Sequence, residues 1–91
     1  MKNYPNRLKR QVGRQIATLR LARKWTQEQL AERFGVSWRY LQSVEAGDEN
    51  LTIESLAKIA NALRVELHIL LDPTALPTAP KRAKRKPPAK R

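Results

Sequence analysis

The 91-residue chain has no cysteine and a single histidine, His68. Disulfides, thiolate metal sites, cysteine nucleophiles and histidine metal triads are therefore excluded, and the composition suits a reducing compartment. Glycine is scarce, at three residues, and they form neither a GxGxxG nor a Walker-type phosphate loop. No apolar run approaches the roughly 18 residues of a spanning helix. Residues 1–24 carry charge throughout, where a signal peptide would have an apolar centre. A soluble, unexported protein of the cytoplasm, without a membrane partner, is expected. His68 lies in an apolar segment away from any acid pair, and the six glutamates suit helix surfaces and first turns. No catalysis, metal or cofactor is expected.

Acidic residues are also few: eight Asp and Glu against nineteen Lys and Arg, a formal charge of +11. Their distribution tells more than the total. Residues 1–24 hold eight bases and no acid, residues 25–71 four bases and seven acids, and residues 72–91 seven bases and Asp72. An ordinary folded composition thus lies between two basic ends, and such an excess implies a polyanionic partner, nucleic acid first. The last segment, DPTALPTAPKRAKRKPPAKR, holds five of the six prolines and no aromatic residue. It cannot bury enough surface to offset the entropy of ordering, so residues 73–91 read as a disordered basic tail. Phosphate attraction is its functional reading and a solubilising extension the bland one; residues 81–86 also fit a nuclear import patch.

Between about Asn6 and Leu71 apolar residues recur at helical spacing, predicting four or five helices after a short N-terminal arm, residues 1–6. The first runs from about Arg7 to Arg23, with Leu8, Val12, Ile16 and Leu19 in one stripe and basic residues elsewhere. Thr26-Gln27-Glu28-Gln29 is a capping box, and Gly35 sits where a helix would end in a left-handed residue. Ser37 can cap a third helix, Trp38 to Ala46, that Gly47 terminates. Only Gly35, Val36 and Ser37 separate it from the second helix, the tight glycine-containing connection of a helix-turn-helix. Thr52 can cap a fourth helix whose buried face is Leu56, Ile59, Ala60 and Leu63. Residues 65–71 fit a strand by alternation and a short helix by the 67, 70, 71 spacing.

On a helical wheel of the third helix, Tyr40, Leu41 and Val44 share one arc, and Trp38, Arg39, Gln42, Ser43 and Ala46 the opposite one. That outward arc carries no acid. A guanidinium can bind guanine O6 and N7, an amide can pair with adenine, and Trp38 can pack on a thymine methyl or a sugar. Trp38, Arg39, Gln42 and Ser43 are the candidate base-contacting residues. A solvated helix face is the alternative, which the exposed tryptophan and the tight turn before it weaken.

The segment TQEQLAERFGVS, followed by Tyr40-Leu41, Val44-Glu45, Gly47 and LAKIANAL at 56–63, closely resembles the phage-repressor-like helix-turn-helix regulators of the Xre or Cro/C1 family. The resemblance covers about Val12 to Asp72. It implies an all-α fold of four to five helices over residues 7–72, a homodimer, and insertion of the third helix into the major groove of double-stranded DNA. It also implies a sequence-specific transcriptional regulator, a repressor on a pseudo-palindromic operator. Alternatives are an antitoxin with a toxin partner, a restriction-modification controller, a protein-interaction adaptor, or a non-specific, nucleoid-associated binder using the basic ends. Carried over from the family, Gln27 is expected on a phosphate; with it, Thr26, Ser37, Asn50 and Arg14 are the candidate residues for the DNA backbone. Val65, Leu67, Ile69 and Leu70 are expected at a dimer interface, and Arg20 with Glu45 as a structural ion pair.

Three departures stand out. Lys24 and Arg64 occupy positions where the family usually has glycine, so the first helix is expected to end differently or with strain. The loop after the third helix carries Asp48 and Glu49, which would repel phosphate. Only Gly47, Asn50 and backbone N–H groups remain candidates there, with Arg7, Lys9, Arg10, Arg14 or the tail as replacements.

Overall fold

The computed structural model describes residues 4–72 and Thr74. Five helices follow one another: α1 (Tyr4–Ala22), α2 (Gln27–Phe34), α3 (Trp38–Ala46), α4 (Ile53–Leu63) and α5 (Leu67–Leu71). There is no strand among the described residues. The expected tail lies outside them apart from Thr74, as do residues 1–3 of the expected arm. Residues 4–6 of that arm are helical, because α1 begins ahead of the expected Arg7. Pro5 falls in the first turn, where a missing N–H removes no intrahelical bond.

The helix starts obey their capping chemistry. Thr26, Ser37 and Thr52 each accept, through the side-chain hydroxyl, the N–H three residues on: Gln29 at 3.1 Å, Tyr40 at 3.1 Å and Ser55 at 2.9 Å. The Thr26 N–H donates in return to Gln29 Oε1 at 2.8 Å, completing the capping box.

The C-terminal ends share one device. In α1 the Lys24 N–H reaches Leu21 O and the Trp25 N–H reaches Arg20 O. In α3 Gly47 and Asp48 reach Val44 O and Ser43 O, and in α4 Arg64 and Val65 reach Asn61 O and Ala60 O. This double bond pattern requires a left-handed residue. Gly47 supplies it at φ 83°, whereas Lys24 and Arg64 are forced to φ 62° and 63°. The first helix therefore ends in a left-handed turn, with strain, since a side chain in this region costs roughly 1–2 kcal/mol.

The core joins Val12, Ile16 and Leu19 of α1 to Leu30, Ala31, Leu41, Val44, Leu56, Ile59, Ala60, Leu63 and Leu70. Each fully buried aliphatic side chain contributes about 1.5–3 kcal/mol. Helix α1 packs on α3 and α5, α2 on α3 and α4, and α4 on α5. Gln15, itself buried, donates through Nε2 to Ile69 O at 3.1 Å and so ties α1 to α5. Arg23 Nε donates to Leu63 O at 3.0 Å, joining the ends of α1 and α4. Burial there, and then the charge of Arg64, lower the Arg23 pKa. The Arg33 guanidinium lies 4.2 Å above the centre of the Trp25 ring.

The two readings of residues 65–71 are now decided. The left-handed turn at Arg64 directs the chain back so that α5 presses Leu70 into the core, which a helical spacing does and an alternating strand would not. Leu70, expected at a dimer interface, is 1% exposed and packs in the core of the single chain, where it offers no surface to a partner. Val65, Leu67 and Ile69 are half-buried against that core. Beyond α5, Asp72 accepts the Thr74 hydroxyl at 2.7 Å and its N–H at 2.9 Å. First the hydroxyl and then the N–H hold the Asp72 pKa below its ordinary value.

Candidate nucleic-acid interface

The connection between α2 and α3 is short because Gly35 turns left-handed at φ 84°. Its N–H and that of Val36 both close on Ala31 O. Ser37 then caps α3 while Val36 packs against the core. Leu41 and Val44 anchor α3 in that core, and the Tyr40 ring lies 6.4 Å from that of Phe34. Trp38, Arg39, Gln42 and Ala46 are exposed and Ser43 is half-buried, the division the helical wheel expects. Trp38 keeps 48% of its surface exposed, which is unusual for the largest side chain in the chain.

A polar network fixes the aim of this face. Arg20 Nε donates to Glu45 Oε2 at 2.7 Å and Nη2 to Oε1 at 3.1 Å, while Nη1 reaches Trp25 O at 2.8 Å. The two side chains of the ion pair are 11% and 7% exposed. Gln27 continues the network, donating through Nε2 to Glu45 Oε1 at 2.9 Å and accepting the Trp38 indole N–H at 3.2 Å. One carboxylate thus links α1, α2 and α3, and the tryptophan is held by the first residue of α2. Charge-assisted bonds of this kind are about twice as strong as neutral ones. The bond between Gln27 and Trp38 has no signature in the sequence, since nothing in their spacing distinguishes it from two solvated side chains.

Elsewhere the expected backbone-contacting residues surround α3. Thr26 is exposed at the start of α2, beside a hollow lined by Arg20, Thr26, Gln27, Glu28 and Trp38. The N–H groups of Gln27 and Glu28 point out of the first turn, where no earlier intrahelical carbonyl exists. Ser37 is exposed at the start of α3, and Arg14 is exposed on α1. Asn50 accepts the Lys9 ammonium through Oδ1 at 3.1 Å. Gly47 is withdrawn as a phosphate donor, because its N–H, like that of Asp48, closes the end of α3.

Two close approaches place α1 against α3. A Cβ on Gly13 would lie 2.5 Å from Glu45 O and 2.6 Å from Val44 O, so only glycine allows the two backbones to meet there. One on Gly47 would lie 2.7 Å from Arg10 Cγ and 2.8 Å from its Cα. Sequence reasoning passed over Gly13; the signal was a lone glycine inside an amphipathic helix, which usually marks close packing. Among the described residues no cluster of three or more His, Cys, Asp or Glu could hold a metal ion. No described helix is long and apolar enough to cross a membrane.

Comparison with known proteins places these features. A family model described as helix-turn-helix matches residues 16–70. The transcriptional regulator y4dJ of Sinorhizobium fredii, of the helix-turn-helix type, is 39% identical over 67 residues, covering 74% of this chain and 87% of that protein. The immunity repressor of Bacillus phage phi105 is 35% identical over 66% of this chain, which spans 42% of the repressor. Among solved structures, the restriction-modification controller protein C.AhdI of Aeromonas hydrophila superposes with a TM-score of 0.65 at 33% identity. That match covers 67% of this chain and 92% of the controller.

Proposed function

The chain belongs to the Xre or Cro/C1 helix-turn-helix family, and from that premise we propose that this DNA-binding transcriptional regulator acts as a repressor, a homodimer reading an inverted-repeat operator with α3. The observation that carries the reading is the exposed, acid-free face of Trp38, Arg39 and Gln42, held at a fixed angle by the network through Gln27 and Glu45. A helix whose outer face is merely solvated has no need of such bracing.

In this reading Arg39 binds guanine and Gln42 adenine in the major groove, with Ser43 at the edge of the contact. The Trp38 indole N–H already has a partner, so its ring offers apolar contact to a thymine methyl or a sugar. Phosphates meet the first N–H groups of α2 near Thr26 and Gln27, the start of α3 at Ser37, the Asn50 amide, and Arg14. Val65, Leu67 and Ile69, with the exposed Leu71, form the dimer contact, which sets the two α3 helices about 34 Å apart, one turn of DNA. With DNA as its partner the protein works in the cytoplasm, at the nucleoid. The match to a controller protein over nearly its whole length supports a second reading, control of a restriction-modification system.

Selection from random duplex DNA at near-physiological salt, with full-length wild type and Arg39→Ala side by side, tests the reading. Wild type should enrich an inverted repeat. Arg39→Ala should lose roughly 1–3 kcal/mol of binding and relax preference at one position per half-site. A wild-type pool with no motif, or an equal loss on every sequence, refutes base reading by α3. The location of the enriched repeat in the genome, beside restriction-modification genes or elsewhere, separates the controller reading from the repressor.

A further inference from the structure

The family match begins at Ile16, but α1 begins at Tyr4, so about three turns of helix precede the matched region. Those turns carry Arg7, Lys9, Arg10 and Arg14 without an acid. Around the axis of α1, let the direction from Gly13 to α3 be the origin. Ile16, Val12, Leu19 and Leu8 then lie about 60° to 140° to one side, and Arg10, Arg14 and Arg7 about 60°, 100° and 120° to the other. Helix α3 is divided alike, with Leu41 and Val44 on the core side of its contact with α1 and the Trp38, Gln42 and Arg39 face beyond it. Both helices bury the flank facing the core. The arginine stripe and the outward face of α3 therefore lie on the same side of the seam between them.

The backbone of the stripe is anchored, and its charge is uncompensated among the described residues. Gly13 packs on the Val44 and Glu45 carbonyls, the Arg10 backbone on Gly47, and Lys9 holds Asn50. Arg7, Arg10 and Arg14 are exposed and have no ion pair or hydrogen bond among the described residues. They also weaken their own helix. Arg7 with Arg10 and Arg10 with Arg14 are like-charge neighbours at i,i+3 and i,i+4, and the first turn has no acid to meet the helix dipole. The neighbouring loop carries Asp48 and Glu49, which would repel a phosphate.

We propose that the N-terminal turns of α1 are a DNA-backbone clamp, in which Arg7, Arg10 and Arg14 neutralise successive phosphates of one strand beside the loop that follows α3. The proposal rests on the reading of α3 as the base reader. From Arg7 to Arg14 the helix rises about 10 Å, so the three guanidinium groups are spread along the helix and do not crowd on one phosphate. The clamp supplies the sequence-independent attraction that the acidic loop lacks, from a part of the chain outside the family match.

The test uses the full-length chain and a variant carrying Arg7→Gln, Arg10→Gln and Arg14→Gln. Binding is measured across a salt series to two duplexes, the repeat enriched from random DNA and a scrambled version. The variant should lower the slope of log affinity on log salt by about 2 to 3 on both duplexes, at about 0.9 per phosphate. The affinity ratio between the duplexes should be unchanged, and the melting temperature equal or higher because the repulsions are relieved. An unchanged slope, with wild type still preferring the repeat, overturns the clamp and leaves the reader intact. A changed ratio means that the stripe reads bases, and a lowered melting temperature assigns it to the fold; either overturns the proposal. A wild-type chain that prefers neither duplex refutes the underlying reading of α3 instead.

Discussion

Gly13→Ala tests the placement of the reading helix, because it adds one methyl at the tightest point between α1 and α3. The new Cβ would stand 2.5 Å from Glu45 O, about 0.9 Å inside the 3.4 Å at which ordinary contact begins. All three of its nearest atoms are backbone, the third being Glu45 C at 2.9 Å, so no rotamer change relieves the clash. The helices must part, and Ile16, Leu19, Leu41 and Val44 lose contact on either side. Overpacking of this kind costs about 1–3 kcal/mol, against about 1 kcal/mol that alanine gains over glycine inside a helix. Backbone-only contacts favour the upper part of that range, so the net loss should be about 1–2 kcal/mol. For a domain of this size that lowers Tm by roughly 5–15 °C. Thermal unfolding followed by circular dichroism measures it, with exposed Thr18→Ala on the same helix as the control. A Tm equal to or above wild type would show that α1 and α3 are not held by this approach, and the argument for a fixed angle of α3 would fall with it.

Arg20→Ala should cost about 3 kcal/mol, because it leaves the nearly buried Glu45 carboxylate with only the Gln27 amide; an unfolding free energy from urea denaturation within about 1 kcal/mol of wild type would contradict the role given to the pair. Lys24→Gly and Arg64→Gly should each stabilise the fold by about 0.5–1 kcal/mol, the relief of left-handed strain less the greater unfolded-state freedom of glycine. A lowered denaturation midpoint in either variant would mean that the side chain contributes more than the strain removes.

Helix caps and the turn were legible because their chemistry is local. A threonine or serine followed by a residue whose N–H it can accept is decided within four positions, and Gly35 and Gly47 lie where left-handed residues are needed. Two features were missed or left open. The start of α1 at Tyr4 lies one turn ahead of the apolar stripe that begins at Leu8, and its local signal, Pro5 in the first turn, was passed over. Residues 65–71 have an apolar pattern that fits both periods, the helix somewhat better, and what decides between them is the turn at Arg64, a residue with no intrinsic preference for φ 63°. Leu70 was misread for that reason. An apolar residue near the end of a domain faces inward or outward according to a turn that its own neighbours do not announce.

The candidate site divides along the same line. Exposure on α3 follows from its period and from the absence of an acid, so Arg39 and Gln42 could be read from the sequence. Occupancy could not. Trp38 is exposed yet its indole N–H is bound to Gln27, whose amide nitrogen is bound to Glu45, whose carboxylate is bound to Arg20. A chain of four side chains from three helices has no spacing to recognise, and it changes what the face can do. With its donor engaged, Trp38 has only an apolar ring to present, and in the proposed reading the hydrogen bonds that distinguish one base pair from another fall to Arg39 and Gln42. The same bond stiffens the first turn of α3 against the start of α2, where a phosphate would sit. The face proposed to read bases and the helix start proposed to anchor the backbone are thereby held in one register, which a solvated tryptophan could not provide.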